Sequence, residues 1–191
     1  MTPQLILASA SPRRSQLLEQ IGVCHSIHAI DIDETPLPDE TPERYVTRVA
    51  SEKSAACLAI LQPALPILSA DTSVVYDNRI LGKPENLQQA IEMLSTLSGR
   101  THQVFTAISL RGRQHWQSLS VSEVSFRELN SEEIISYWHT GEPLGKAGAY
   151  AIQGIGSIFI ERLKGSFSGV MGLPLFETAN LLALQGIKIM L

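Results

Sequence analysis

The sequence predicts a mixed α/β fold, a β-sheet flanked by helices. Three observations carry that expectation. The chain opens on a short apolar run, a small-residue turn and an amphipathic segment, the order of a strand feeding a helix. Stretches of strand length then alternate with stretches of helical spacing. Hairpin-like pairs are mixed among them, which favours a mixed sheet over a purely parallel one.

Leu5-Ile6-Leu7 reads as a buried strand. In Ala8-Ser9-Ala10-Ser11-Pro12-Arg13-Arg14, Ser11 is a natural N-cap and Pro12 suits the first helical position. Leu17, Leu18 and Ile21 give that helix an apolar face, and Gly22 closes it. Residues 31–40 are acidic and proline-bearing, hence a loop. Thr41-Pro42-Glu43 starts a second helix, in which Tyr45, Val46, Val49, Ala56, Cys57 and Ile60 recur at helical spacing. Ile67-Leu68 begins a strand expected to break at Asp71-Thr72 and resume at Val74-Val75-Tyr76, with a tight turn at Asp77-Asn78.

Asn86 caps a helix carrying Leu87, Ile91, Leu94 and Leu97 and ending at Gly99. Residues 101–127 read as two long strands joined near Arg111-Gly112-Arg113. Asn130 and Glu133 form a capping box for the next helix. Residues 141–156 hold five of the 13 glycines and read as loop. A strand over Ser157–Leu163 and a helix over Pro174–Leu184 complete the order.

At 191 residues, 44% hydrophobic and 18% charged, the chain can bury a core without metals or disulfides. Fifteen Lys and Arg against 19 Asp and Glu give a net charge of -4. That disfavours a general nucleic-acid binder held by phosphate contacts, yet leaves room for a local cationic cleft. No apolar run approaches the roughly 20 residues that span a bilayer. The start carries no secretory pattern, so no membrane partner and a cytoplasmic location are expected. Cys24 and Cys57 read as reduced thiols, and Cys24, His25 and His28 lack a second ligand pair at zinc-like spacing.

Several groups of residues carry chemistry. Ser9 to Arg14 place two hydroxyls and two guanidiniums at a helix N-terminus, which fits an anion pocket as well as it fits a capped helix with solvated arginines. Asp71, between apolar stretches, needs a partner, a metal or a task. The acidic loop Asp31-Ile32-Asp33-Glu34 is a source of carboxylates for magnesium, or simply solvated. Lys83 and Lys146 lie in glycine-bearing loops that could point an ammonium at phosphate. Lys53 lies inside a helix, where solvation is the default. Gln153 offers a donor and an acceptor to a base edge. Gly154-Ile155-Gly156 opens no dinucleotide fingerprint. His102 and Ser11 have no third member for a hydrolytic triad, and GxSxG is absent.

Taken together, these residues resemble the Maf-like nucleoside triphosphate pyrophosphatases. The carriers are Ser9-Ala10-Ser11-Pro12-Arg13-Arg14, Glu34, Lys53, Ala70-Asp71-Thr72, Gly82-Lys83-Pro84, Ser98-Gly99-Arg100-Thr101-His102, the run Lys146 to Gly154, and Gly172-Leu173-Pro174-Leu175. The resemblance covers nearly the whole chain and implies a single domain, 1–191. It also implies an inosine-triphosphatase-like fold with two lobes around a cleft, and hydrolysis of nucleoside triphosphates between the α and β phosphates with a divalent cation, magnesium or manganese. The run Lys146 to Gly154 is similar to the branch acting on dTTP and UTP. Modified pyrimidine triphosphates would fit a role in cleansing the nucleotide pool.

On that resemblance Asp71 is the proton acceptor, and Glu34 and Asp71 share the metal; Asp71 as base and Asp71 as chiefly a ligand both stay open. Ser9, Arg13, Arg14, Lys53 and Lys83 bind phosphate, while Arg13, Thr72 and Gln153 govern substrate choice. A homodimer is the family's usual form. The rival reading is a nucleotide-sensing regulator linked to cell division, without turnover.

Overall fold

The computed structural model describes residues 2–189. Seven strands and six helices follow in the order β1 (Leu5–Leu7), α1 (Pro12–Gln20), β2 (His25–Ile27), α2 (Pro42–Leu61), β3 (Ile67–Tyr76), β4 (Arg79–Leu81), α3 (Leu87–Leu97), β5 (Thr101–Arg111), β6 (His115–Phe126), α4 (Ser131–His139), β7 (Ile160–Lys164), α5 (Phe167–Met171) and α6 (Leu175–Leu184). The sheet order is β2-β1-β3-β5-β6-β7, with β4 beside β3. β1 pairs in parallel with β2 and β3, and the remaining pairings are antiparallel. This is the mixed α/β sheet that the alternation of patterns predicts.

Local chemistry accounts for most element ends. Thr41 accepts from the Arg44 N–H ahead of α2, and Asn86 accepts from the Gln89 N–H ahead of α3. The reciprocal Asn130–Glu133 capping box is present at α4. Asp77 and Asn78 both take positive φ, as a tight antiparallel hairpin between β3 and β4 requires.

Three expectations need correction, and two short elements are not expected from the sequence. The strand through Asp71-Thr72 does not break, because β5 pairs along it without interruption, Asp71 opposite Ala107 and Thr72 opposite Thr106. Ser11 stands at the N-cap of α1 but its hydroxyl caps nothing; the Ser11 N–H instead donates to Ser9 Oγ. Residues 155–159 form a 3-10 turn, and β7 starts only at Ile160. β2 and α5 are too short for periodicity to reveal.

The two faces of the sheet divide by residue parity. On one face α2 packs Tyr45, Val46, Val49 and Ala50 against Val75, Phe105 and Ala107. The other face holds two separate apolar clusters. Leu68, Ala70, Ile108 and Leu110 pack against Leu17 and Leu18 of α1 and Leu181 and Leu182 of α6. Further along the same strands, Val74, Val104 and Val124 pack against α3 and α4. Between these clusters lies a polar row, where Thr106 Oγ1 donates to the Gly169 carbonyl (2.8 Å) and lies 3.0 Å from Thr72 Oγ1. Thr72 of this row lines the cleft.

Candidate active site

A gap in strand pairing sets the position of the site. β1 pairs with β3 only as far as Leu68, and β4 takes up the same edge only from Val74. Residues 69–73 therefore have no strand on that side. Asp71 and Thr72 lie in this gap, Asp71 on the α2 face and Thr72 on the opposite one. A cavity of about 450 Å³ opens there. It is lined by the loop from β1 into the start of α1, the centre of β3, and the loop between α4 and β7 at residues 144–153.

Every sequence-predicted site residue lines this one cavity: Ser9, Arg13 and Arg14 from the first turn, Glu34, Lys53, Asp71 and Thr72, Lys83, and Gln153. Of the acidic loop, Glu34 reaches the cavity while Asp31 and Asp33 are exposed, Asp33 accepting from the Thr35 N–H.

Lys53 departs most from the solvated role its helical position predicts. It is only 8% exposed and its Nζ donates to Asp71 Oδ1 at 2.9 Å and lies 2.7 Å from Glu34 Oε1. A buried ammonium between two carboxylates satisfies charges that would otherwise be costly to bury. Burial opposes ionisation of Glu34, but the Lys53 hydrogen bond and the charges of Lys53, Lys83 and Arg14 outweigh it and hold its carboxyl below the usual glutamate range. The Tyr45 hydroxyl donates to the Glu34 carbonyl at 2.9 Å and so fixes the loop end. Burial, then the charges of Asp71 and Glu34, push that phenol up to about 12, so it remains a donor.

Arg14 is a brace as much as a cation. Its Nε donates to the Gly172 carbonyl (2.9 Å), one terminal nitrogen to Ser9 Oγ (3.1 Å) and the other to Thr72 Oγ1 (3.4 Å). The guanidinium fork thus ties α1, the loop after β1, β3 and the turn before α6 together. Arg13 Nε donates to the Met171 carbonyl at 3.3 Å. Burial lowers the pKa of both arginines; for Arg14 the charge of Arg13 adds to this, while Asp71 and Glu34 oppose it.

The far wall is the glycine-rich loop. Gly148 donates its N–H to the Gly82 carbonyl at 3.0 Å, joining this loop to the one bearing Lys83. Lys146 also lines the cavity, making five cationic side chains with Arg13, Arg14, Lys53 and Lys83. Gln153 is exposed at the rim. Tyr150 lines the cavity and its hydroxyl sits 2.8 Å from His102 Nε2. His102 therefore bonds Tyr150, and no nucleophile pair with Ser11 is formed. The glycine-bearing loop of Lys146 thus brings its residue to the cavity, as the sequence offers, whereas Tyr150 carries no such local signal.

For a hard divalent cation, the donor chemistry fits. Glu34 and Asp71 each bring an oxygen within hydrogen-bond distance of the same ammonium, so two carboxylates converge on one cationic position. Among the described residues no cluster of three or more His, Cys, Asp or Glu forms a metal cage. Two carboxylates plus phosphate oxygens is the set that magnesium commonly takes. Among the described residues no helix is long and apolar enough to cross a membrane.

A carboxylate pair at a strand gap, with five cations and a helix N-terminus around it, defines an α/β protein built to receive a polyanion with cation assistance. Residues 4–185 match the family model described as Maf-like protein, and the chain belongs to that family. A dTTP/UTP pyrophosphatase of Methylococcus capsulatus is 54% identical over 185 residues, covering 96% of this chain and 92% of the relative. One from Pasteurella multocida is 48% identical, covering 97% and 98%. Among solved structures, the Ham1 protein of Staphylococcus aureus is similar at 18% identity with a TM-score of 0.48, covering 96% of this chain and 99% of the other.

Proposed function

We propose that the protein hydrolyses dTTP and UTP, and modified pyrimidine triphosphates with the same base edge, to the nucleoside monophosphate and pyrophosphate. The observation that carries the reading is the convergence of Asp71, Glu34 and Lys53 beneath a cationic rim, in a chain about half identical to relatives of that name.

The triphosphate lies with its charged end toward α1. Ser9, Arg13, Arg14, Lys53 and Lys83 bind its phosphates and offset the charge that builds on the leaving pyrophosphate. A water attacks the α-phosphorus. The bond from that phosphorus to the α–β bridging oxygen breaks, and pyrophosphate departs with the electron pair. Asp71 takes the proton of the attacking water. Glu34 and Asp71 would hold magnesium or manganese, which when bound polarises phosphoryl oxygens. Gln153 reads the base: its amide complements N3–H and O4 of uracil or thymine. Thr72 and Arg13 bound the cavity between the phosphate and base ends.

The test is pyrophosphate release from dTTP, UTP, CTP, ATP, GTP and 7-methyl-GTP, with magnesium or manganese and with a chelator. Release confined mainly to dTTP and UTP and abolished by the chelator is expected. Silence across the panel from folded protein that still binds nucleotide would overturn the enzyme in favour of a nucleotide sensor.

A further inference from the structure

We propose that Glu142 and Tyr137 are positioning residues for base selection, a buckle that fixes the turn carrying Gln153. The inference rests on the reading of Gln153 given above and extends it to two residues outside the cavity lining. Glu142 lies just after α4. Its Oε1 accepts from the Tyr137 hydroxyl at 2.6 Å and from the Gly156 N–H at 2.9 Å, while Oε2 accepts from the Ile155 N–H at 2.9 Å. The Tyr137 hydroxyl in turn accepts from the Ala151 N–H at 3.1 Å. The chain is thus gripped two residues before Gln153 and two and three residues after it.

Two further features point the same way. A Cβ on Gly154 would run into the Glu142 carboxylate, and one on Gly156 would meet the Tyr137 hydroxyl at 2.6 Å. Both glycines of Gly154-Ile155-Gly156 are therefore sized to admit this pair, which accounts for a motif that no nucleotide-binding fingerprint explains. The buckle is also rooted in the core. Tyr137 is 2% exposed and its ring meets Phe159 edge-on at 4.9 Å. Bonds from backbone N–H groups to an ionised carboxylate are stronger than neutral ones, so one side chain suffices to hold an exposed turn.

The experiment is steady-state kinetics on UTP and CTP for wild type, Glu142→Gln, Gln153→Ala and the double variant. Amide hydrogen exchange at residues 155 and 156 is followed in parallel. Glu142→Gln keeps the shape but turns an NH2 toward backbone donors. Discrimination between UTP and CTP should fall about tenfold, with the loss in KM rather than kcat. Exchange at 155 and 156 should quicken, and in the Gln153→Ala background Glu142→Gln should change discrimination no further. Unchanged discrimination alongside faster exchange would overturn the proposal, because the carboxylate would then hold a turn that selects nothing. If Glu142→Gln fails to fold, Tyr137→Phe makes the same test by removing only the hydroxyl. An unaltered ranking in Gln153→Ala removes Gln153 as the reader; the buckle then survives only if Glu142→Gln still shifts the ranking.

Discussion

The proposed phosphate end and the proposed base end of the cleft are built on different principles. The phosphate end hangs on regular elements: Asp71 in the middle of β3, Lys53 inside α2, Arg13 and Arg14 in the first turn of α1. Its side chains hold one another through ion pairs and the Arg14 fork. The base end is a glycine-rich loop, held through side-chain-to-backbone bonds from Glu142 and Tyr137. A group that must hold a reacting atom gains from rigid elements, whereas a group that reads an edge can sit on a loop if the loop is tied down. The consequence is that turnover and selection are separable by mutation.

The sharpest break falls at the phosphate end. Asp71→Asn keeps the shape and loses the charge, so kcat on UTP should drop about a hundredfold or more, as for the loss of a general base. Near-native turnover would remove Asp71 from the chemistry. The ranking among bases should survive in the residual activity, because Gln153 is untouched.

Gly148 joins the two ends and tests whether they depend on each other. Its φ is +67°, and a Cβ would come within 2.8 Å of Val74, two residues beyond Thr72 on β3. The Gly148→Ala change combines a left-handed backbone cost with overpacking, about 3 kcal/mol together by urea unfolding. A change below about 1 kcal/mol would mean that the loop can lift off β3 without cost.

His102 supplies a test in pH. It is buried between Phe126 and Tyr150, ring centroids 5.0 and 5.4 Å away, with Nδ1 unpartnered. Burial lowers its pKa to about 4. Between the ordinary value and 4 the unfolded chain binds the proton that the native protein refuses. Stability from this group is thus intact above about pH 6.5 and is lost as pH falls toward 4, about 2 kcal/mol by pH 5. Glu34 adds its own loss further down, since its lowered pKa makes its contribution vanish as pH falls through the folded value. Unfolding free energies of wild type and His102→Gln at pH 7 and 5 separate the two. Parallel losses would show that His102 is not the titrating group.

What the sequence reveals of this site follows from where each interaction partner lies. Ser9 to Arg14 are contiguous, so a hydroxyl-rich helix start with two arginines is visible at once. Asp71 stands out because apolar neighbours on both sides bury it. Lys53 does not: helical spacing makes it a surface lysine, and only the packing of α2 over β3 brings it to Asp71, eighteen residues on. It was the likeness of the whole set of motifs that marked it. The strand expected to break at Asp71-Thr72 continues, and it is its missing neighbour that makes the room. Glu142 gave no signal, since two of its partners are backbone amides thirteen and fourteen residues away.

The smallest expected effect, and the one most specific to the base end, is Gln153→Ala. The side chain is exposed at the rim and makes no hydrogen bond among the described residues, so folding and chemistry should be nearly unaffected. What goes is the donor and the acceptor proposed to read the base. Loss of one such pair should cost discrimination between UTP and CTP about tenfold, with kcat on UTP changed far less. The two ends would prove coupled if kcat fell as far as discrimination did. That result would place the base contact in the transition state and make the loop part of the catalytic framework.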